Sequence, residues 1–295
     1  QHGYDIAGAN VTIAKRKVIG DVAQMGKIER EYDGSENVGD VFKKAITAGD
    51  VSLRTEGLVD GDGATMTLGT DAVTFRNKGD WSGSATSKSK DAGYNKAVYI
   101  DSSKVTFGDA EGNYEFDAKK INEGRKLTGN IRQKTVTIGF KAGKNFNKTY
   151  DRTADVKDEV NPQKAAGADV LELTGVVGSE DLKLNNSDIT AKYMTGKTAS
   201  DTERKNAGTN IDIAYKNIKL ADGTTTGTGK AKNYKLVEKG NESNVLYREK
   251  LTGEPSTAGD AVTSGTLWGT GTISRRNINK DTFLWNGGAA TKEYD

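Results

Sequence analysis

Ala97-Val98-Tyr99-Ile100-Asp101-Ser102-Ser103-Lys104-Val105-Thr106-Phe107 is two short runs of β-branched and aromatic residues joined by a polar turn. Each run is strand length, and Asp and Ser between them supply turn chemistry. The pattern extends in both directions. Val11-Thr12-Ile13, Val51-Ser52-Leu53 and Ala72-Val73-Thr74-Phe75 precede it. Val136-Thr137-Ile138, Val170-Leu171-Glu172-Leu173, Leu182-Lys183-Leu184, Ile211-Asp212-Ile213 and Ile218-Lys219-Leu220 follow. Turn clusters such as Asp60-Gly61-Asp62-Gly63 and Asn185-Asn186-Ser187-Asp188 punctuate them. Three turns of helical apolar spacing occur nowhere; Val38 to Ala48 comes nearest and predicts one short helix or turn. The sequence predicts an all-β chain.

Composition narrows the function. The 295 residues hold 34% apolar side chains, 36 Gly and only 2 Pro. That balance suits β-domains with slim cores better than a thick-cored α/β enzyme. Lys and Arg number 43 against 41 Asp and Glu, so no basic field draws the chain to nucleic acid. There is no Cys, which excludes disulfides and thiolate chemistry within this sequence, and the single His2 excludes a multi-His zinc site. No apolar run nears the roughly 18 residues of a membrane helix, so membrane insertion is not expected.

Internal repetition is the strongest signal. Tyr32-Asp33-Gly34 recurs as Tyr150-Asp151-Arg152, 118 residues on, and as the terminal Tyr294-Asp295. Ile13, Ile131 and Ile273 precede these by 19, 19 and 21 residues. Gly57-Leu58-Val59 matches Gly175-Val176-Val177, and Lys90-Asp91-Ala92-Gly93 matches Lys205-Asn206-Ala207-Gly208. Gly112-Asn113-Tyr114 matches Lys232-Asn233-Tyr234, with Gly3-Tyr4-Asp5 a weaker copy. The expected organisation is a terminal strand of a preceding repeat (1–10), a first β repeat domain (11–129), a second (130–271) and the start of a third (272–295). The second carries an insertion at about 237–270, read as an extra hairpin or a linker loop. Two tandem small antiparallel domains, sandwich-like or β-grasp-like, would then form an elongated arrangement with partial units at both ends.

This order of landmarks resembles the YDG and MBG-type tandem repeats of bacterial filamentous-haemagglutinin-like surface adhesins. Arg152 departs from it where the motif has Gly. The resemblance implies an extracellular, non-catalytic stalk or adhesive segment on a bacterial cell surface. Its implied partners are neighbouring repeats or identical subunits. A second reading is a subunit that polymerises into a filament or lattice by strand addition at its termini. A third is an adhesin module that binds a host or cell-surface glycan, with Trp81 as the stacking residue.

Each marked residue also has a plain structural account. Tyr32, Tyr150, Tyr114 and Tyr234 are expected to bury their rings, with the hydroxyl bonded to backbone. Asp33 and Asp151 are expected to close Asx turns, with Gly34 supplying positive φ. Asn113 and Asn233 are read as cap or turn residues. Asp60 and Asp62 form a fragment of a calcium-loop pattern, for which a hairpin turn is the better reading. No other cofactor is implied, and Val18, Leu53, Phe107, Phe116, Ile13 and Val59 are expected in the first core.

Overall fold

The computed structural model describes residue 8 and residues 12–109, 111–124, 126–225 and 229–278. The expected end fragments therefore lie largely outside the described residues, as do Tyr4, Trp285 and Tyr294. Among the described residues 41% are strand and 13% helical, with one α-helix, so the fold is all-β. That helix, α1 (Asp40–Ala48), occupies the one stretch with near-helical spacing. No described helix is long and apolar enough to cross a membrane.

A first set of strands comprises β1 (Arg16–Gln24), β2 (Glu29–Glu31), β3 (Val51–Glu56), β4 (Thr65–Leu68) and β5 (Val73–Arg76). It continues with β6 (Gly93–Ile100), β7 (Val105–Gly108), β8 (Tyr114–Asp117) and β9 (Thr128–Arg132). The second set comprises β10 (Lys134–Phe140), β11 (Lys148–Thr149), β12 (Leu171–Thr174), β13 (Lys183–Leu184) and β14 (Thr190–Tyr193). It ends with β15 (Gly208–Ile218), β16 (Leu220–Ala221), β17 (Tyr234–Glu238), β18 (Asn241–Arg248) and β19 (Gly265–Ser274).

The two sets share one wiring. In the first, sheets run β3-β1-β8, β2-β9-β6-β5 and β4-β7; in the second, β12-β10-β17-β18, β11-β19-β15-β14 and β13-β16. Each strand of the first has its counterpart in order, and β18 alone is extra, pairing antiparallel with β17 inside the stretch that sequence marks as an insertion. Register agrees as well. Arg16 faces Tyr114 and Lys134 faces Tyr234; Ile19 faces Glu56 and Thr137 faces Thr174.

Four findings depart from expectation. The sheets are mixed rather than antiparallel, because β1–β8, β10–β17, β2–β9 and β11–β19 pair in parallel. The divisions expected at 129/130 and 271/272 fall inside β9 and β19. Ile131 and Ile273 close a set instead of opening one, each beside the strand that leads to that set's own Tyr-Asp turn. Ile13, 91% exposed, precedes β1, and Val59 is 42% exposed in a turn, so neither joins the core.

The core itself leans on tyrosine. Tyr32, Tyr193, Tyr215 and Tyr234 are among the largest fully buried side chains, beside Phe42 and Phe75. A buried hydroxyl needs a partner. Tyr215 donates to the Val160 carbonyl at 2.6 Å, and Tyr193 donates to the carbonyl of Phe146.

Candidate functional site: the junction between the strand sets

The Tyr-Asp turn is built identically twice. Asp33 Oδ1 accepts from the Ser35 amide at 2.8 Å, and Asp151 Oδ1 from the Thr153 amide at 2.9 Å. The residue between carries positive φ in both: Gly34 at 80° and Arg152 at 71°. Beneath each turn lies a buried cation that the motif reading missed. Arg30 ion-pairs with Asp33 and donates to the Ser35 carbonyl, with its guanidinium 5.2 Å from the centre of the Phe75 ring. Lys148 Nζ donates to Asp151 at 2.8 Å and to the Asp155 carbonyl at 2.6 Å, and sits 5.4 Å from the Tyr193 ring centre. Both cations stand two residues before the Tyr, so a signal for them existed in Arg30-Glu31-Tyr32 and Lys148-Thr149-Tyr150. A carboxylate, backbone oxygens and an aromatic face together compensate the burial of charge.

The other recurring element is a tyrosine that clamps an acidic turn. The Tyr234 hydroxyl accepts from the Val177 amide at 3.2 Å and donates to Glu180 Oε2 at 2.5 Å. The Tyr114 hydroxyl accepts from the Val59 amide at 3.2 Å and donates to Asp62 Oδ2. Asp62 thus serves as the tyrosine's acceptor, and Asp60 lies exposed in the preceding turn. Among the described residues no group of three or more His, Cys, Asp or Glu is placed to hold a metal.

These two elements meet where the strand sets join. Tyr32 does not bond backbone through its hydroxyl, as expected, but donates to Glu180 Oε1 at 2.5 Å, across 148 residues of sequence. Its ring packs edge-on against Tyr234, centroids 5.5 Å apart. Glu180 therefore receives one tyrosine on each oxygen. Burial, and then the hydrogen bond to Glu180, push both phenols well above the usual range. Gly34 lies so close that a Cβ there would stand 3.0 Å from Val177.

A polar patch flanks the aromatic one. Buried Asn233 accepts from the Ala92 amide at 2.8 Å and donates to Asp91 at 3.0 Å. Asp91 also pairs with Lys230 at 2.9 Å and Lys232 at 3.1 Å. Burial raises the Asp91 carboxyl, but hydrogen bonds from Lys230, Asn233 and Lys232 overcome it and hold the group at about 2. Nearby Lys96 is buried with Nζ 2.6 Å from Ser89, and desolvation lowers it to about 8. Gln133, between the sets, donates to the carbonyls of Lys232 and Glu249 at 3.0 and 2.9 Å.

Asn113, the counterpart of Asn233, is exposed and donates to Glu111 at 2.9 Å. Tyr150, the counterpart of Tyr32, is half-buried beside a recess of about 670 Å³. Trp81 is half-buried. Its indole N–H donates to the Leu127 carbonyl at 2.9 Å, and Lys126 Nζ lies 5.2 Å from its ring centre. No protein-family model, no curated protein and no solved structure matches this chain.

Proposed function

We propose that the chain is a non-catalytic, extracellular structural repeat segment, a stalk or spacer of a bacterial surface protein made of two small tandem β domains. The observation that carries this reading is the junction. Two equivalently wired strand sets are locked together by Tyr32, Glu180, Tyr234, Asp91 and Asn233, which themselves belong to recurring elements. Nearest-neighbour packing of like repeats is how solenoid and array proteins set a fixed spacing. A flexible linker would hold its two ends at no fixed distance, whereas this connection passes from β9 to β10 through a single residue, Gln133, itself hydrogen-bonded.

Small-angle scattering on dilute chain tests the reading, together with antibody staining of intact source cells. The expected radius of gyration exceeds the about 19 Å of a compact globule of this length, and staining is expected without permeabilisation. A value at or below that figure, or staining only after permeabilisation, would overturn the spacer.

A further inference from the structure

The internal junction uses half of each set's recurring equipment: the Tyr-Asp-Gly turn and Asp91-Ala92 of the first, the Tyr-acid clamp and Asn233 of the second. The unused halves are the Tyr114 end of the first set and the Tyr150 end of the second. One end presents Tyr114, Asp62 and Asn113, around a recess of about 290 Å³ that also takes in Asp109 and Glu111. The other presents Tyr150, Arg152 and Ala207, around the larger recess that also takes in Arg275 and Arg276. We propose that these two ends dock head to tail between copies of this chain, with Tyr150 of one copy donating to Asp62 of the next.

Three observations beyond the template favour a second copy as the occupant. The first is charge. The Tyr150 end carries exposed Arg152, Arg275 and Arg276, with Asp151 there already paired to Lys148. The Tyr114 end carries Asp62, Asp109 and Glu111 against the one cation opposite Tyr114, Arg16, so the two ends keep opposite balances. Opposed fields of this kind select and steer a partner. The second is correlated replacement. At the internal junction Asp91 faces Lys230 and Lys232. At the ends Asn206 stands in the place of Asp91, while the sequence has Ala110 and Gly112 in the places of the two lysines. Joining these ends therefore strands neither a carboxylate nor an ammonium. The third is apolar exposure. Val177 is half-buried behind Gly34, whereas its counterpart Val59 is 42% exposed. Because Arg152 stands in the place of Gly34, Val59 has to give by a few tenths of an ångström for that residue to cover it. The Tyr114 clamp holds Asp62 by Oδ2, as Tyr234 holds Glu180 by one oxygen, which leaves Oδ1 as the acceptor for a second donor.

Such an interface is heterologous: each copy offers one end of each kind, so association runs on into open filaments unless it closes into a ring. The inference rests on the repeat reading above, and the two fail separately. A compact particle in dilute solution defeats the spacer, while a monomer at every concentration defeats the docking.

Sedimentation velocity over a series from low to high micromolar chain is the test, at low and high salt. Wild type is expected to grow in mass with concentration, and less so at high salt because the facing charges are screened. R275E/R276E, at one end, and E111R, at the other, are each expected to weaken association at least about tenfold through like-charge contact. An equimolar mixture of R275E/R276E with E111R is expected to associate again, since each altered end then meets its complement. Circular dichroism confirms that both variants are folded; should one not fold, Y150F serves as its replacement and is expected to weaken association in the same direction. Wild type monomeric throughout, or association indifferent to these changes, would overturn the proposal. So would variants that stay apart when mixed.

Discussion

Tyr234 and Tyr114 make the same bonds to the same elements, yet one is fully buried and the other retains 9% exposure. The difference is the neighbour. Around Tyr234 the acid is Glu180, which reaches two phenols at once; around Tyr114 it is the shorter Asp62, with one phenol on it. An interaction motif repeated in sequence therefore has unequal energetic weight, set by whether a second surface closes over it. Removing the acid at each place measures that inequality. Glu180→Ala leaves two buried phenol protons without their acceptor and is expected to cost about 3 kcal/mol, on the scale of hydrogen bonds to a charged group. Asp62→Ala, at an exposed site, is expected to cost about 1 kcal/mol or less. Urea denaturation of both variants gives the comparison, and equal losses would mean that the junction adds nothing to the clamp.

The polar flank sharpens the same contrast. Asp91 at the junction is Asn206 at the open end, so Asp91→Asn converts one surface into the other. At neutral pH the expected cost is about 2 kcal/mol, because Lys230 and Lys232 lose their shared partner. The sign with pH follows from the depressed carboxyl, at about 2 against an ordinary 3.8. The contribution is complete above the ordinary value and disappears as pH falls toward 2. Wild type and Asp91→Asn are thus expected to differ clearly at pH 6 and to converge as acid protonates Asp91. Stability curves that stay parallel through that window would remove Asp91 from the junction's energetics.

How much of this was legible depends on sequence distance. The strands, the single helix and the repeat landmarks rest on local composition, and Asp33 and Asp151 close their turns with residues two positions away. Glu180 was readable only as part of an acidic turn, since the phenol of Tyr32 reaches it from 148 residues away. Nor does Asp60-Gly61-Asp62-Gly63, best read as a hairpin turn, show locally that Asp62 is the acceptor for Tyr114, 52 residues away. Parallel pairing of β1 with β8 also leaves no trace in alternation, because a strand's two faces look alike whichever way its neighbour runs. The Ile landmarks misled for a related reason. Ile131 is 19 residues before Tyr150, yet it lies beside Arg30 in β2, whose chain runs to Tyr32.

The smallest expected effect comes from the least matched pair of positions. Lys96 faces Gly129 across β6 and β9, and Ile211 faces Gly271 across β15 and β19, so the two occupy one place in the common wiring. Both are buried, Lys96 at 7% exposure and Ile211 at 2%. An ammonium there, with the Ser89 hydroxyl at 2.6 Å, is short of compensation, and desolvation accordingly lowers it to about 8 from 10.5, against a smaller opposing pull from Asp91. Below pH 8 both folded and unfolded chains carry the proton, and the folded state bears the cost of burying it. Between 8 and 10.5 the unfolded chain holds more protons, so stability rises with pH across that window. Lys96→Ile places the second set's residue in the first. It is expected to stabilise the chain by about 1 kcal/mol at pH 7, the scale of relieving one under-paired polar group, and to flatten the rise between pH 8 and 10. Thermal melts at three pH values suffice. A destabilised variant whose slope is unchanged would mean that the contact with Ser89 and the nearby Asp91 charge outweigh desolvation, and that the first set has adapted to its lysine where the second did not need one.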